Sequence, residues 1–275
     1  MVKVILTRNT DVFLSLSGRA AVANKAKAAL FMSLHENSAT NKDATGYEDY
    51  RSGSASEVTK LAHQAFHNIV ESELLVPYKI KNRGMKTASY QVLRSTNMAA
   101  ILPEHLFISN SNDLKLQTNA EFTKKAAKVY AKALLAALNV VVTAEKKKST
   151  KLQRFDLNNP IIVLDAGHGG HDPGAVNGKE HESKHVLKLV QLIKKEIEEL
   201  TSDKNKPVQG TVKVLTNTLN IYDSPRWSNP SGKVKKGEVF TVIGKVIVEG
   251  KEQYKLKSGN YINASEKFVK FIAIK

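Results

Sequence analysis

The chain has 275 residues, 41% of them apolar, no cysteine and a formal charge of +16. The missing cysteines exclude disulfides and thiolate metal ligands, so any metal must be held by His, Glu or Asp. With no apolar run of about 18 residues the sequence predicts no membrane span. The charge calls for a polyanionic partner such as nucleic acid, anionic lipid or an anionic wall polymer.

The N-terminal stretch MVKVILTRNTDVFL lacks the basic-then-apolar order of a signal peptide, which predicts synthesis in the cytoplasm and exit by another route. Residues 2–7 (VKVILT) read as a strand, and Asp11 or Ser17 can cap a helix running to about Ala29. Residues 30–35 (LFMSLH) read as a second strand that runs out on His35, and GYEDY (46–50) as a short third one. An amphipathic helix is expected over 55–75, with His63 and His67 of HQAFH on its solvated surface. NRGMK (82–86) reads as a basic turn and QVLRS (91–95) as strand-like. The apolar run 99–108 is interrupted by Pro103 and Glu104, and an Ala-rich helix over 121–138 ends before Asn139.

Residues 144–159 are polar, basic and unperiodic, and read as a linker. Ile161 to Asp165 then form a buried parallel strand ending in the Gly-rich turn GHGG, which sets His168 at its carboxyl end. Open α/β sheets bind ligands at that end. The next helix carries Val186, Leu187, Leu189, Val190, Leu192, Ile193 and Ile197 on one broad face and Glu182 in its first turn. A second linker follows at 202–210. Residues 211–275 switch to short, regularly spaced strands and carry 12 Lys and Arg against 5 Asp and Glu, a net of +7.

Strand and helix alternate through 1–143 and 160–201. This predicts an α/β fold with a mostly parallel twisted sheet flanked by helices, followed by a small all-β barrel over 211–275. The segment 160–201 supplies one βα unit, which must complete the sheet of 1–143 in the same chain or in a swapped dimer. No aromatic-rich RNA module or zinc finger is present, which argues against a nucleic-acid partner.

An imidazole at a strand end and a carboxylate in the following helix's first turn can converge on one cation, as two ligands of a zinc site whose remaining ligands lie elsewhere. HESKH (181–185) offers another arrangement, the H-E-x-x-H of zinc peptidases with His181 and His185 as ligands. Against it, the preceding GHGGHDPG has no role in such a site.

The motif DAGHGGHDPGA (165–175), with ES (182–183) and a Leu-rich helix, resembles the opening of the type 3 zinc-dependent N-acetylmuramoyl-L-alanine amidases. LTRNTD (6–11), Arg19 with AAVAN (20–24), SLHEN (33–37), NRGMK (82–86), VLR (92–94) and EHLFISN (104–110) are similar to the family's other blocks. The resemblance implies Zn2+ held by His35, His168 and Glu182, with Glu104 as the catalytic carboxylate. It implies cleavage of the amide between N-acetylmuramic acid and L-alanine in peptidoglycan, by an endolysin or autolysin-like enzyme acting on the wall after release. The family's GHGG strand normally comes first, so its late place here implies a circular permutation. Pro103, Leu106 and Glu36 depart from the family pattern. A wall-binding protein with this fold but no activity is the alternative those departures suggest.

The last segment resembles bacterial SH3-type wall-binding domains from LNIYDSP (219–225) through KKGEVFTVI (235–243) to YIN (261–263). Tyr222, Trp227, Tyr254 and Tyr261 are its candidate ligand contacts or its core. Peptidoglycan and anionic wall polymers are the partners this implies.

Overall fold

The computed structural model describes residues 2–146, 155–201, 210–248 and 251–273. The chain divides into two units, residues 1–203 and 204–275.

Six strands build the sheet of the first unit: β1 (Lys3–Leu6), β2 (Leu30–Asn37), β3 (Tyr47–Arg51), β4 (Asn82–Thr87), β5 (Ala99–Phe107) and β6 (Ile161–Ala166), in spatial order β1-β6-β2-β5-β3-β4. The late strand β6 enters the middle of the early ones. It pairs in parallel with β1 from Lys3↔Ile161 to Leu6↔Leu164 and with β2 from Leu30↔Ile162 to Leu34↔Ala166. The sheet is therefore completed within one chain. β5 runs parallel to β2, while β3 is antiparallel to β5 and parallel to β4.

The largely apolar runs at the start of β2 and β6 suit strands buried on both faces. Side chains alternate across the pleat. Leu30, Met32, Leu34, Ile162 and Leu164 join one core, while Phe31 and Val163 join a smaller core on the other face. The larger core is covered by α2 (Glu57–Val70), α5 (Ala120–Lys146) and α6 (Glu182–Thr201), the smaller by α1 (Leu16–Lys25) and α3 (Gln91–Arg94). A further helix, α4 (Ser111–Thr118), precedes α5, and a short hairpin of β7 (Val176–Asn177) and β8 (Glu180–His181) precedes α6.

Several local expectations change. Ser15, not Asp11 or Ser17, caps α1, its Oγ accepting the Gly18 N–H at 3.1 Å. NRGMK forms edge strand β4, where exposed Lys and Arg suit a strand with one open side. QVLR is one helical turn. α5 passes through Asn139 to Lys146 because Val140, Val141 and Val142 still reach the core, so residues 144–146 of the expected linker are helical. Residues 147–154 of that linker, and 202–209 of the second, lie outside the described residues. By length and composition α5 could cross a membrane, but much of it is buried, packed against α2 and α6.

The second unit is a seven-stranded antiparallel sheet. Its strands are β9 (Gly210–Val214), β10 (Thr218–Tyr222), β11 (Gly232–Lys235), β12 (Val239–Val248), β13 (Lys251–Leu256), β14 (Tyr261–Asn263) and β15 (Val269–Ala273). Their order is β11-β10-β14-β13-β12-β9-β15, and among the described residues no ladder joins β11 to β15 to close a barrel. Val212, Val214, Val242, Leu256, Ile262 and Val269 form its core. Tyr222 and Tyr254 are buried, whereas Trp227 is half-buried with its Nε1 donating to the Val248 carbonyl at 2.9 Å.

One irregularity lies beside the candidate site. After His35↔Glu104 the β2–β5 ladder resumes at Asn37↔Phe107, so β5 carries an extra residue there. Such bulges bend a strand and re-aim its side chains. Leu106 takes the left-handed backbone (φ 66°) while fully buried. Pro103 does not shift the register, since Met32↔Ile101 before it and His35↔Glu104 after it have the same offset. Relieving the Leu106 backbone would return about 1–2 kcal/mol, but losing a fully buried Leu costs about 2–5 kcal/mol. Leu106→Gly is therefore expected to destabilise by roughly 1–3 kcal/mol in thermal or denaturant unfolding; a gain in stability would contradict this balance.

Candidate metal centre

β6 ends in a bend held by two buried arginines. Arg8 Nε donates to the Ala166 carbonyl at 2.9 Å, and its Nη2 to the carbonyls of Gly167 at 2.9 Å and Ser183 at 2.7 Å. Arg19 Nη1 reaches Asp165 Oδ1 at 2.8 Å and the Ala166 carbonyl at 2.5 Å, while its Nη2 reaches the His168 carbonyl at 2.7 Å. Asp165 also accepts from Ser33 Oγ at 2.7 Å and Thr7 Oγ1 at 2.5 Å. The TR, Arg19 and S-x-H blocks of the sequence thus converge on this bend. His168 sits at φ 58°, a backbone that non-glycine residues hold only when surroundings enforce it.

The bend brings three side chains together. His35 Nδ1 lies 2.9 Å, and His168 Nε2 3.1 Å, from Glu182 Oε1. One ligand atom from each of the three residues falls within 4.8 Å of the others. Two glycines make room. A Cβ on Gly167 would stand 2.3 Å from His35 Cε1, and one on Gly174 (φ 68°) 2.7 Å from both Glu182 Oε2 and His168 Cδ2. Asp172 Oδ2 holds His168 Nδ1 at 2.8 Å and leaves Nε2 to face the cluster. Glu182 Oε2 accepts the Ala175 N–H at 2.9 Å, and Oε1 the Glu36 N–H at 3.1 Å.

Burial alone would raise the Glu182 carboxyl and lower both imidazoles. Their mutual hydrogen bonds and charges outweigh it, so Glu182 lies well below the carboxylate range and His35 above 6.5. His168, which also faces Asp172, is pushed up to about 9. The cluster is thus built to hold positive charge. Two imidazole nitrogens, one carboxylate oxygen and an outer carboxylate that orients one imidazole form a donor set that fits Zn2+.

Glu104 stands directly opposite His35 in the β2–β5 ladder. Burial pushes its carboxyl up to about 7; His35 and His168 oppose this, and Glu182 and Glu48 add to it. A carboxyl near 7 can accept and return a proton at neutral pH.

The H-E-x-x-H reading does not match this geometry. His181 lies on strand β8 (Glu180–His181), which pairs with β7 (Val176–Asn177). Both ring nitrogens of His185 are taken, Nδ1 by Glu36 at 3.0 Å and Nε2 by Glu180 at 2.7 Å. Glu36 points at His185, and its buried carboxyl is pushed up to about 7 with His185 opposing the shift.

The sequence also concealed a second polar cluster. His63 and His67 are buried, correcting their expected exposure: Asp49 Oδ1 meets His63 Nε2 at 2.8 Å and Oδ2 meets His67 Nδ1 at 2.9 Å. Tyr47 Oη donates to Asp49 at 2.8 Å.

The ends of this α/β sheet and the first turn of α6 thus bring together a His–His–Glu group that could hold a metal ion, beside the Glu104 carboxyl. The N-acetylmuramoyl-L-alanine amidase family model matches residues 1–136 and 162–217. The endolysin of Bacillus phage SPP1 is 33% identical over 98% of this chain and 82% of its own length. The amidase CwlM of Bacillus licheniformis is 32% identical over 56% of this chain, which spans 58% of that protein. Among solved structures, the catalytic domain of CwlV from Bacillus (Paenibacillus) polymyxa is 30% identical with a TM-score of 0.44, covering 50% of this chain and 73% of that one. AmiC2 of Nostoc punctiforme is 29% identical with a TM-score of 0.45, covering 49% and 72%. The chain belongs to the N-acetylmuramoyl-L-alanine amidase family and is a peptidoglycan amidase.

The Asp49 cluster gives a pH-dependent stability. Burial would raise Asp49, but bonds from both imidazoles hold it below 3.8; burial would lower His67, but Asp49 and then Glu71 hold it above 6.5. The His67 contribution is therefore complete below pH 6.5 and lost as pH rises through its higher folded value, and the Asp49 contribution is lost as pH falls below 3.8. The melting-temperature gap between wild type and His67→Gln should be widest between these limits and shrink above pH 6.5; a gap that widens with alkalinity would contradict the assignment.

Proposed function

We propose that this amidase is zinc-dependent, with His35, His168 and Glu182 as the ligands and Glu104 as the proton-transfer group. The observation that carries this reading is the convergence of three ligand atoms within 4.8 Å, beside a carboxyl opposite His35. When bound, zinc supplies Lewis acidity, lowering the pKa of a water to about 7 and polarising the scissile carbonyl. Glu104 takes the proton of the attacking water and passes it to the amine of L-alanine as the amide breaks. Arg8 and Arg19 hold the bend that presents His168, and Asp172 fixes its ring. The departures that suggested an inactive protein do not displace these groups: Pro103 keeps the register and Glu36 turns to His185.

The position of β6 between β1 and β2 supports reading the chain as a circular permutation, with the family's opening βα unit at 160–201. For the second unit we propose an SH3-type wall-binding role. The net charge of +7 over 211–275 favours anionic wall polymers, and Trp227 and Tyr261, neither fully buried, offer faces to a ligand. The whole then acts on the wall as an endolysin or autolysin-like enzyme.

Glu104→Gln should lower hydrolysis of purified peptidoglycan by about 10²–10⁴-fold while bound zinc stays at the wild-type level; activity within threefold of wild type would remove Glu104 from the role. A chain ending at residue 203 should still release peptide from a soluble muramyl peptide but no longer co-sediment with walls at low salt. Unchanged co-sedimentation would refute the binding role.

A further inference from the structure

Across the sheet from the metal cluster, the row His35–Glu104 continues into Glu48, which pairs with Glu104 from β3. Glu48 is buried and saturated. Its Oε1 accepts from Asn37 Nδ2 and Tyr50 Oη, each at 2.8 Å, and its Oε2 from Arg83 Nε at 2.7 Å and from Lys86 Nζ. Burial opposes its ionisation, but these donors hold the carboxyl at about 2, so it remains an anion at neutral pH. One anion therefore faces two cations, and one positive charge is left over.

That surplus charge faces outwards. The Glu48 side chain is 5% exposed, against 28% for Arg83 and 36% for Lys86. Only Nε of Arg83 is used on Glu48, its two terminal nitrogens have no protein acceptor among the described residues, and its guanidinium lies 4.9 Å over the Phe107 ring. A planar, positioned fork with free donors suits a carboxylate.

We propose that Arg83, supported by Lys86 and Glu48, is a specificity subsite for a carboxylate on the peptide side of the scissile amide. This rests on the amidase activity and adds the determinant of which muropeptides are cut. The lactyl carboxyl of muramic acid is itself the acyl half of the scissile bond, so the sugar side offers no charge there and the anion must come from the peptide. The guanidinium reaches back from β4 over β3 and β5, bonded to Glu48 and 4.9 Å from the Phe107 ring. Glu48 stands one strand, about 5 Å, from Glu104, and Arg83 Nε lies 2.7 Å beyond its carboxylate. L-alanine and the residue after it span roughly 7 Å when extended, so the residue after L-alanine is the one whose carboxylate Arg83 meets.

The test compares two soluble N-acetylmuramyl peptides that differ only in a free carboxylate or a carboxamide on the residue after L-alanine. Wild type should favour the carboxylate form in kcat/KM by about tenfold, as expected for a charge-assisted pair. Arg83→Gln should bring that ratio to within about threefold of unity, through KM for the carboxylate form rather than kcat; Arg83→Lys should retain an intermediate preference. Equal use of both peptides by wild type overturns the subsite while leaving the amidase intact, and this measurement needs no variant to fold. A folded Arg83→Gln that keeps the full preference also overturns it. If wild type cuts neither peptide, yet purified walls are cleaved at another bond, the amidase reading falls and the subsite with it.

Discussion

The site depends on one buried electrostatic arrangement, the clasp of Arg8 and Arg19 around the bend that follows β6. A backbone turning this sharply at the end of a buried strand leaves carbonyls aimed into the protein, and unmet they would each cost about 1–3 kcal/mol. The two guanidiniums take the carbonyls of Ala166, Gly167, His168 and Ser183, and Arg19 is itself neutralised by Asp165. Breaking a buried pair of this kind costs several kcal/mol because it strands a charge. The clasp joins residues more than 140 positions apart, and so ties the late βα unit to the early sheet as well as shaping the turn.

The candidate metal cluster follows from that join. His35 comes from the early part of the chain and His168 and Glu182 from the late part; neither part holds the three groups alone. Glu104 reaches its place through a different device, the bulge at Leu106, which lets β5 bend beside β2 without losing its pairing. A fully buried leucine in left-handed backbone is tolerated because its packing outweighs its strain.

The central strands were legible in the sequence because short apolar runs such as IIVLDA and LFMSLH suit strands buried on both faces; the second ends on His35, and the first runs into the glycine turn that carries His168. The edge was not. NRGMK reads as a turn because a strand with an open side carries the Lys and Arg that also mark loops. QVLR is too short for its period to separate helix from strand. His63 and His67 read as helix surface because their partner, Asp49, lies in the preceding strand and nothing in the spacing marks how that strand packs on the helix. Asp172 and the two clasping arginines lay in plain view within the motifs and Glu48 lay outside them, but the roles of all four depend on contacts that spacing does not encode.

The central claim is that His35, His168 and Glu182 surround a single divalent ion. Crystals grown with zinc and measured on both sides of its absorption edge test it most directly. One anomalous peak per chain is expected, about 2.0–2.2 Å from His35 Nδ1, His168 Nε2 and a Glu182 oxygen. A principal peak at His181 and His185, or one touching only one of the three residues, would contradict it.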